Sequence, residues 1–293
     1  FAAIGTAMPE TIVPIVAIVG GGDNVALNHA IGMGAILGAP FMLATVAISL
    51  VAITAGVKRG WSVVLTPERS GLSRDLTFFF VAYAVVICAA FVPDGWGVGR
   101  MLPAIMLFII YFIYLTMTIL ASKDLVDAGH GTEADSPLYF ARFMGGSTPV
   151  AVLQLFVALL VLIVGARLFV DGAEMVSSAI GIAPIVVALL LAPIATELPE
   201  KVNSMLWTAR GRDTLAFGNL TGAMVFQGST IPAIAILLMP WHFTSHYAVM
   251  AVVLVLAGGG WLFILQRWLA LTPKLLLLNG VFYLAFIMFV VFW

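Results

Sequence analysis

The stretch Ile4-Gly-Thr6-Ala-Met-Pro9-Glu10 returns 190 residues later as Ile194-Ala-Thr196-Glu-Leu-Pro199-Glu200, and this repetition decides the fold. In each copy a Pro-Glu pair interrupts an otherwise apolar segment. When residues 2–38 are laid on residues 192–228 without gaps, ten of the 37 positions are identical. A composition this biased gives roughly three identities by chance. The sequence therefore predicts an internal duplication.

The composition predicts an all-α polytopic membrane protein. Of the 293 residues, 62% are hydrophobic and 9% are charged, which is more apolar than a soluble domain with a wettable surface. Apolar runs of about 20 residues are long enough to cross a bilayer. Nine such spans are expected, near 1–19, 26–56, 75–93, 101–121, 149–171, 178–208, 214–239, 247–266 and 274–293. We expect a multi-pass protein of the bacterial inner membrane.

The distribution of lysine and arginine predicts the orientation of the spans. The positive-inside rule counts basic residues in short loops, and ten of the thirteen fall after spans two, four, six and eight. They are Lys58, Arg59, Arg69, Arg74, Lys123, Arg142, Arg210, Arg212, Arg267 and Lys274. If these loops are cytoplasmic, the two Pro-Glu spans run in opposite directions. Such inverted repeats are typical of secondary transporters, whose substrate site lies near the bilayer midplane.

The order of the spans predicts two halves. The second half has a whole span, 149–171, before its Pro-Glu segment, whereas the first half begins almost at its Pro-Glu motif. We therefore expect a first helix to be missing from this chain and a five-plus-five arrangement of ten spans in the complete protein. Residues 1–121 form the first inverted repeat, 122–148 form a polar cytoplasmic linker, and 149–293 form the second inverted repeat.

Glu10 and Glu200 are the candidate metal ligands. A carboxylate at bilayer depth costs about 2.5–3.5 kcal/mol or more, so it is by default a functional-site hypothesis. Because proline lacks an N–H, each Pro-Glu proline frees the carbonyl four residues earlier. With threonine hydroxyls on the same helix faces, these groups offer the roughly six to eight oxygens that Ca²⁺ takes, and they suit Mg²⁺ less well. The further candidate ligands are Thr6, Thr196, Gly5, Ala195 and Glu197.

Structural alternatives stay open for these acids. Glu10 and Glu200 can also lie at span ends and snorkel, with prolines that only kink their helices, although the duplication argues against this. Glu197 has no acidic counterpart in the first copy, where Ala7 stands. Asp23 of the first copy recurs as Asp213 in the second, and we interpret both as ordinary helix-start caps.

These motifs carry a family resemblance. With Thr-x-x-Pro-Glu in both halves and a glycine 22 residues after each Glu, at Gly32 and Gly222, the chain resembles the alpha repeats of the cation/calcium exchanger superfamily. The resemblance covers nearly the whole chain. It implies the sodium/calcium exchanger fold, with Glu10 and Glu200 as central ligands of a transported Ca²⁺, Na⁺ or H⁺. It implies no cofactor beyond the transported cation.

The chain departs from the family pattern in its second motif. Met33, Leu37 and Ala223 stand where the family has polar residues, so several sites for monovalent cations are lost. Gln227 occupies the last polar position of the second half, and its amide oxygen makes it a candidate cation ligand.

Two functions follow from the sequence. The first is a secondary active antiporter that exchanges Ca²⁺ or a similar divalent cation against Na⁺ or H⁺ by alternating access. The alternative is a transport-inactive homologue that serves as a structural subunit of a membrane complex. An enzyme is not expected, since the hydrolase motifs H-E-x-x-H and G-x-S-x-G are absent. The expected partners are cations and the lipid bilayer, a membrane-complex partner under the alternative, and no nucleic acid.

Overall fold

The computed structural model describes residues 8–20, 24–93, 95, 97–125, 139–145 and 147–292. Within these ranges the regular structure is helical. The helices are α1 (Met8–Val19), α2 (Val25–Met42), α3 (Ile48–Arg59), α4 (Arg69–Ala89), α5 (Gly97–Leu125), α6 (Ala141–Met144), α7 (Thr148–Ile180), α8 (Pro184–Ala209), α9 (Asp213–Gln227), α10 (Thr230–Leu238), α11 (His246–Trp268), α12 (Pro273–Leu276) and α13 (Leu278–Phe292).

The helices correspond to the nine predicted spans. In the described ranges, seven helical segments are long and apolar enough to cross a bilayer. The two Pro-Glu segments are shorter apolar stretches, Met8–Val19 and Pro184–Glu197. In α8 the apolar part ends at Glu197, and Glu200 and Lys201 follow it, as expected of a span that a Pro-Glu pair interrupts.

The predicted linker is in part helical. Helix α5 continues to Leu125, α6 lies within the predicted linker, and α7 begins at Thr148. The stretch 126–138 between α5 and α6 lies outside the described residues. The boundaries of the two repeats and the linker stay a prediction.

The membrane-spanning helices differ in how much of their surface is buried inside the protein. The most apolar window of the span Val25–Arg59 is 83% buried, whereas those of Gly97–Ala121 and Thr148–Ile180 are 17% and 11% buried. A helix that is apolar all round is either buried in protein or exposed to lipid. The span made of α2 and α3 therefore lies at the centre of the molecule, and α5 and α7 face the bilayer.

Two glycines let the halves of the molecule cross closely. A Cβ at Gly34 or Gly38 of α2 would lie closer than 3.0 Å to the backbone carbonyl oxygens of Ile185 and Leu189 in α8, respectively. Only glycine leaves room for this approach. The crossing joins the second helix of the first half to the Pro-Glu helix of the second half, and so fixes the position of α8.

The central spans of both halves are broken. A π-helical segment, Leu43–Ala47, separates α2 from α3, and a short break separates α9 from α10. Asn279 donates through Nδ2 to the carbonyls of Ala44 (2.6 Å) and Gly258 (3.0 Å), which ties the π-helical segment to α11 and α13. Single π-helical turns occur often at functional sites.

An ion pair joins the two halves at one end of the helix bundle. Arg59 at the end of α3 makes a bidentate ion pair with Asp213 at the start of α9, with Nη1–Oδ1 and Nη2–Oδ2 distances of 2.5 and 3.2 Å. Thr66 N also donates to Asp213 Oδ2 (2.8 Å). The interpretation of Asp213 as an ordinary cap was incomplete, because its main partner is an arginine of the other half. The contact also confirms that two basic loops predicted to share one side do so.

Glu68 immediately precedes α4 and is its N-terminal cap. Its carboxylate accepts hydrogen bonds from Ser70 N (2.7 Å) and Gly71 N (2.5 Å). Burial raises the pKa of Glu68, but these hydrogen bonds and the nearby Arg74 charge lower it by more, so the pKa lies below its usual value of 4.5. The charged form of Glu68 therefore stabilises the start of α4.

Candidate cation-binding site

Glu10 is an acid whose side chain is buried inside the protein. It lies in the first turn of α1 and is 4% exposed. Within the described part of the chain, neither Oε1 nor Oε2 of Glu10 has a hydrogen-bond partner. A buried polar group normally has one, because leaving it unpaired costs about 1–3 kcal/mol and more for a charged group. With respect to the described residues, both Glu10 oxygens are therefore available to bind a ligand.

Another buried acid of the molecule shows the contrast. Asp75 in α4 is 5% exposed and accepts hydrogen bonds from Thr221 Oγ1 (2.6 Å) and Tyr114 Oη (3.1 Å). These bonds satisfy Asp75 from within the protein and tie α4 to α5 and α9. Asp75 thus has partners in two neighbouring helices, whereas the Glu10 carboxylate has none within the described residues.

Glu197 and Lys201 form a buried ion pair in α8. Glu197 is fully buried and Lys201 is 2% exposed, and Lys201 Nζ lies 2.5 Å from Glu197 Oε2. The two residues are four apart, which places them on one face of the helix. The second carboxylate oxygen, Glu197 Oε1, has no partner among the described residues.

The acids of the two halves lie near one another. Helix α1 contacts α8, and Glu10 is near enough to Glu197, Glu200 and Lys201 for their charges to influence one another. In this conformation, no three Asp, Glu, His or Cys side chains of the described chain are grouped closely enough to bind one metal ion. A cation at this site would therefore need neutral oxygens in addition to one or two carboxylates.

Gln227 supplies one such neutral oxygen. It is the last residue of α9, where the span breaks before α10, and it is 2% exposed. Its side chain lies beside the Glu197 carboxylate. Its Oε1 has no hydrogen-bond partner within the described ranges. The break in the span brings this amide into the interior, as discontinuous helices do in transporters.

The other predicted ligands are less central. Glu200 is only partly buried. The Thr196 hydroxyl donates to the carbonyl of Ala192 (3.1 Å), which leaves its oxygen able to accept or to bind a cation. For Ala195 the predicted ligand is the main-chain carbonyl, which stays a prediction; its side chain is exposed. Thr6 and Gly5 lie outside the described residues.

Lys201 is the residue that the sequence-based argument missed. In the sequence it is one of the three basic residues outside the loops after spans two, four, six and eight. The Glu-x-x-x-Lys spacing from Glu197 to Lys201 is a known signal for a side-chain pair on one helix face. It was available in the sequence, but burial of the pair beside Glu10 was not.

Membrane-spanning helices with irregular central segments and with buried acids among them are features of the class of membrane transporters of ions. The chain belongs to the sodium/calcium exchanger protein family, whose sequence model matches residues 1–120 and 150–293. The family resemblance drawn from the sequence is therefore confirmed.

Relatives and a solved structure agree with this assignment. The inner membrane protein YrbG of Escherichia coli is 24% identical over 259 residues, which is 86% of this chain and 74% of YrbG. The putative antiporter CaxA of Alkalimonas amylolytica is 24% identical over 247 residues, covering 81% of this chain and 68% of CaxA. The crystal structure of the H⁺/Ca²⁺ exchanger CAX superposes with a TM-score of 0.63 at 18% identity, covering 99% of this chain and 77% of CAX.

These comparisons test the predictions of fold and location. The all-α, inverted-repeat exchanger fold is confirmed by the structural similarity to CAX. Location in a membrane as a multi-pass protein is confirmed by the apolar spans and by the membrane relatives. Membership of an exchanger family also places the chain with transporters rather than enzymes.

Proposed function

We propose that this protein is a secondary active antiporter that exchanges Ca²⁺ or a similar divalent cation against Na⁺ or H⁺ by alternating access. The binding site is centred on Glu10 of the first half and on one acid of the second half, Glu197 or Glu200, with the Gln227 amide as a neutral ligand. The observation that carries the proposal is the Glu10 carboxylate, whose two buried oxygens have no partner within the described chain.

The chemistry of the free oxygens favours a hard cation. Both Glu10 oxygens, Glu197 Oε1 and Gln227 Oε1 are buried and unpartnered within the described ranges. Carboxylate and amide oxygens are ligands of Ca²⁺, which tolerates irregular coordination, whereas Mg²⁺ requires near-octahedral geometry. The names of two similar proteins, an H⁺/Ca²⁺ exchanger and a putative antiporter, support the same kind of exchange.

One observation favours the alternative function. The Lys201 ammonium already neutralises the Glu197 carboxylate. A site that has lost transport is also expected to have its acids neutralised from within the protein. The alternative is a transport-inactive homologue that acts as a structural subunit of a membrane complex. The two functions differ in whether the purified protein alone moves cations.

Uptake of ⁴⁵Ca²⁺ into proteoliposomes, driven by an imposed sodium or proton gradient, tests the proposal. We expect uptake by the wild-type protein and a loss of about 100-fold for Glu10→Gln, because removing a buried charged ligand costs roughly 3 kcal/mol. Glu174→Gln is the matched control, since Glu174 is an exposed acid on α7. Its uptake should equal that of the wild type.

Two outcomes would contradict the proposal. Wild-type protein that moves no divalent cation under either gradient would favour the structural subunit. Uptake by Glu10→Gln equal to that of Glu174→Gln would place the cation path elsewhere in the molecule.

A further inference from the structure

Lys201 places a fixed positive charge among the proposed cation ligands. Its side chain is 2% exposed and its ammonium is bound to Glu197 at 2.5 Å. It also interacts electrostatically with Glu10 in the other half. A lysine ammonium is a compact point charge, and in this respect it is similar to a small monovalent cation that cannot leave the site.

Stability alone gives no reason for a buried ion pair here. Replacing a buried ion pair by apolar residues of similar volume is often neutral or stabilising, because the cost of desolvating the two charges can exceed their attraction. A role in charge balance accounts for a pair beside Glu10, whose carboxylate has no hydrogen-bond partner within the described residues.

The Lys201 ammonium changes the net charge of the acids around it. Three carboxylates and one ammonium leave two net negative charges when all four groups are ionised. The four groups are Glu10, Glu197, Glu200 and Lys201. Two negative charges are balanced by one divalent cation or by two monovalent cations. Without the Lys201 ammonium the group carries three net negative charges, and three monovalent cations are needed to balance them.

We propose that Lys201 acts as a built-in monovalent cation, so that the protein exchanges one divalent cation for two monovalent cations without net movement of charge. This inference rests on the antiport proposed above and specifies its stoichiometry. Lys201 takes the place of a third exchangeable ion. The family positions Met33, Leu37 and Ala223, which lack side-chain oxygens, agree with a reduced number of monovalent sites.

The test is ⁴⁵Ca²⁺ uptake into proteoliposomes at clamped membrane potentials, under whichever monovalent gradient drives uptake. Wild-type uptake should not depend on potential. With Lys201→Met, three monovalent cations leave for each Ca²⁺ that enters, so an inside-negative potential should oppose uptake. The Ca²⁺ accumulation ratio should then shift by about 50-fold per 100 mV for one net charge.

Two further variants separate charge balance from a structural role. Glu197→Gln combined with Lys201→Met restores two net negative charges, so its uptake should again be independent of potential. Lys201→Arg keeps the charge and should behave like the wild type. With sodium as the driving ion, the Hill coefficient should rise from about two in the wild type to about three in Lys201→Met, since it is bounded by the number of sites.

The outcomes distinguish this inference from the proposed function. Wild-type uptake that depends on potential would overturn the inference and leave antiport intact, even if Lys201→Met does not fold. Potential-independent uptake by Lys201→Met, or potential-dependent uptake by the double variant, would overturn it as well. Wild-type protein without any cation flux would overturn both.

Discussion

Asp213→Ala should destabilise the protein more than any substitution of an exposed acid. The Asp213 side chain is 2% exposed and the Arg59 side chain 21% exposed. Breaking a buried ion pair costs about 3–5 kcal/mol, because an uncompensated charge remains. Arg59 keeps a hydrogen bond to the carbonyl of Thr208 (3.2 Å) and has some access to solvent. We therefore expect about 3 kcal/mol for Asp213→Ala, at the low end of that range.

A double-mutant cycle sharpens this prediction. Arg59→Ala should cost less, about 2 kcal/mol, because Asp213 still accepts from Thr66 N and lies at the positive end of α9. The double variant should cost about 3 kcal/mol, which corresponds to a coupling energy of about 2 kcal/mol.

The assay is equilibrium unfolding in detergent micelles, with Asp171→Ala on the exposed surface of α7 as control. The control should change the free energy of unfolding by no more than about 0.5 kcal/mol. A double variant whose cost equals the sum of the two single costs to within about 0.5 kcal/mol would contradict the coupling of Asp213 and Arg59. A cost of Asp213→Ala no greater than that of Asp171→Ala would contradict the stabilising role of the ion pair.

Three other perturbations have expected outcomes. Gly38→Ala should lower the free energy of unfolding by about 1–3 kcal/mol, because the added Cβ would overlap the backbone of α8. Gly165→Ala is the control and should not destabilise the protein, since a Cβ there has no atom within 4 Å. Equal effects of the two substitutions would contradict the close crossing. Glu68→Ala should cost about 1 kcal/mol at neutral pH through the lost helix cap. Because the folded pKa of Glu68 is lowered, this difference should be complete above 4.5 and disappear as the pH falls below it, so a constant difference in unfolding titrations down to about pH 3 would contradict the cap. Gln227→Ala should weaken Ca²⁺ affinity less than Glu10→Gln, since an amide oxygen carries no net charge; an equal or larger loss in equilibrium ⁴⁵Ca²⁺ binding would reverse this ranking.

Much of the fold could be predicted because hydropathy and repetition are properties of the chain itself. The apolar runs and the recurrence of Pro-Glu indicated a duplicated bundle of spans, and the family resemblance followed from the same motifs. Glu10 was identified because an acid in an apolar run is costly wherever the helix is placed. The prediction needed no knowledge of what lies opposite it.

The contacts of the site could not be predicted in this way. Glu10 and Glu200 were expected to form the central pair, yet the buried acid of α8 is Glu197, and Glu200 is only partly buried. Which of two acids three residues apart faces inward depends on the rotation of α8 about its axis. That rotation is set by the close crossing at Gly34 and Gly38, which lies in another part of the sequence.

The sequence by itself thus determined that the chain crosses a membrane, that its halves repeat, and that acids interrupt the repeated spans. Tertiary structure alone decided that Lys201 is buried against Glu197 beside Glu10, and that Asp213 pairs with Arg59 of the other half. The physical reason is that transfer free energy depends on the composition of a segment, whereas the partner of a charge depends on how distant segments pack.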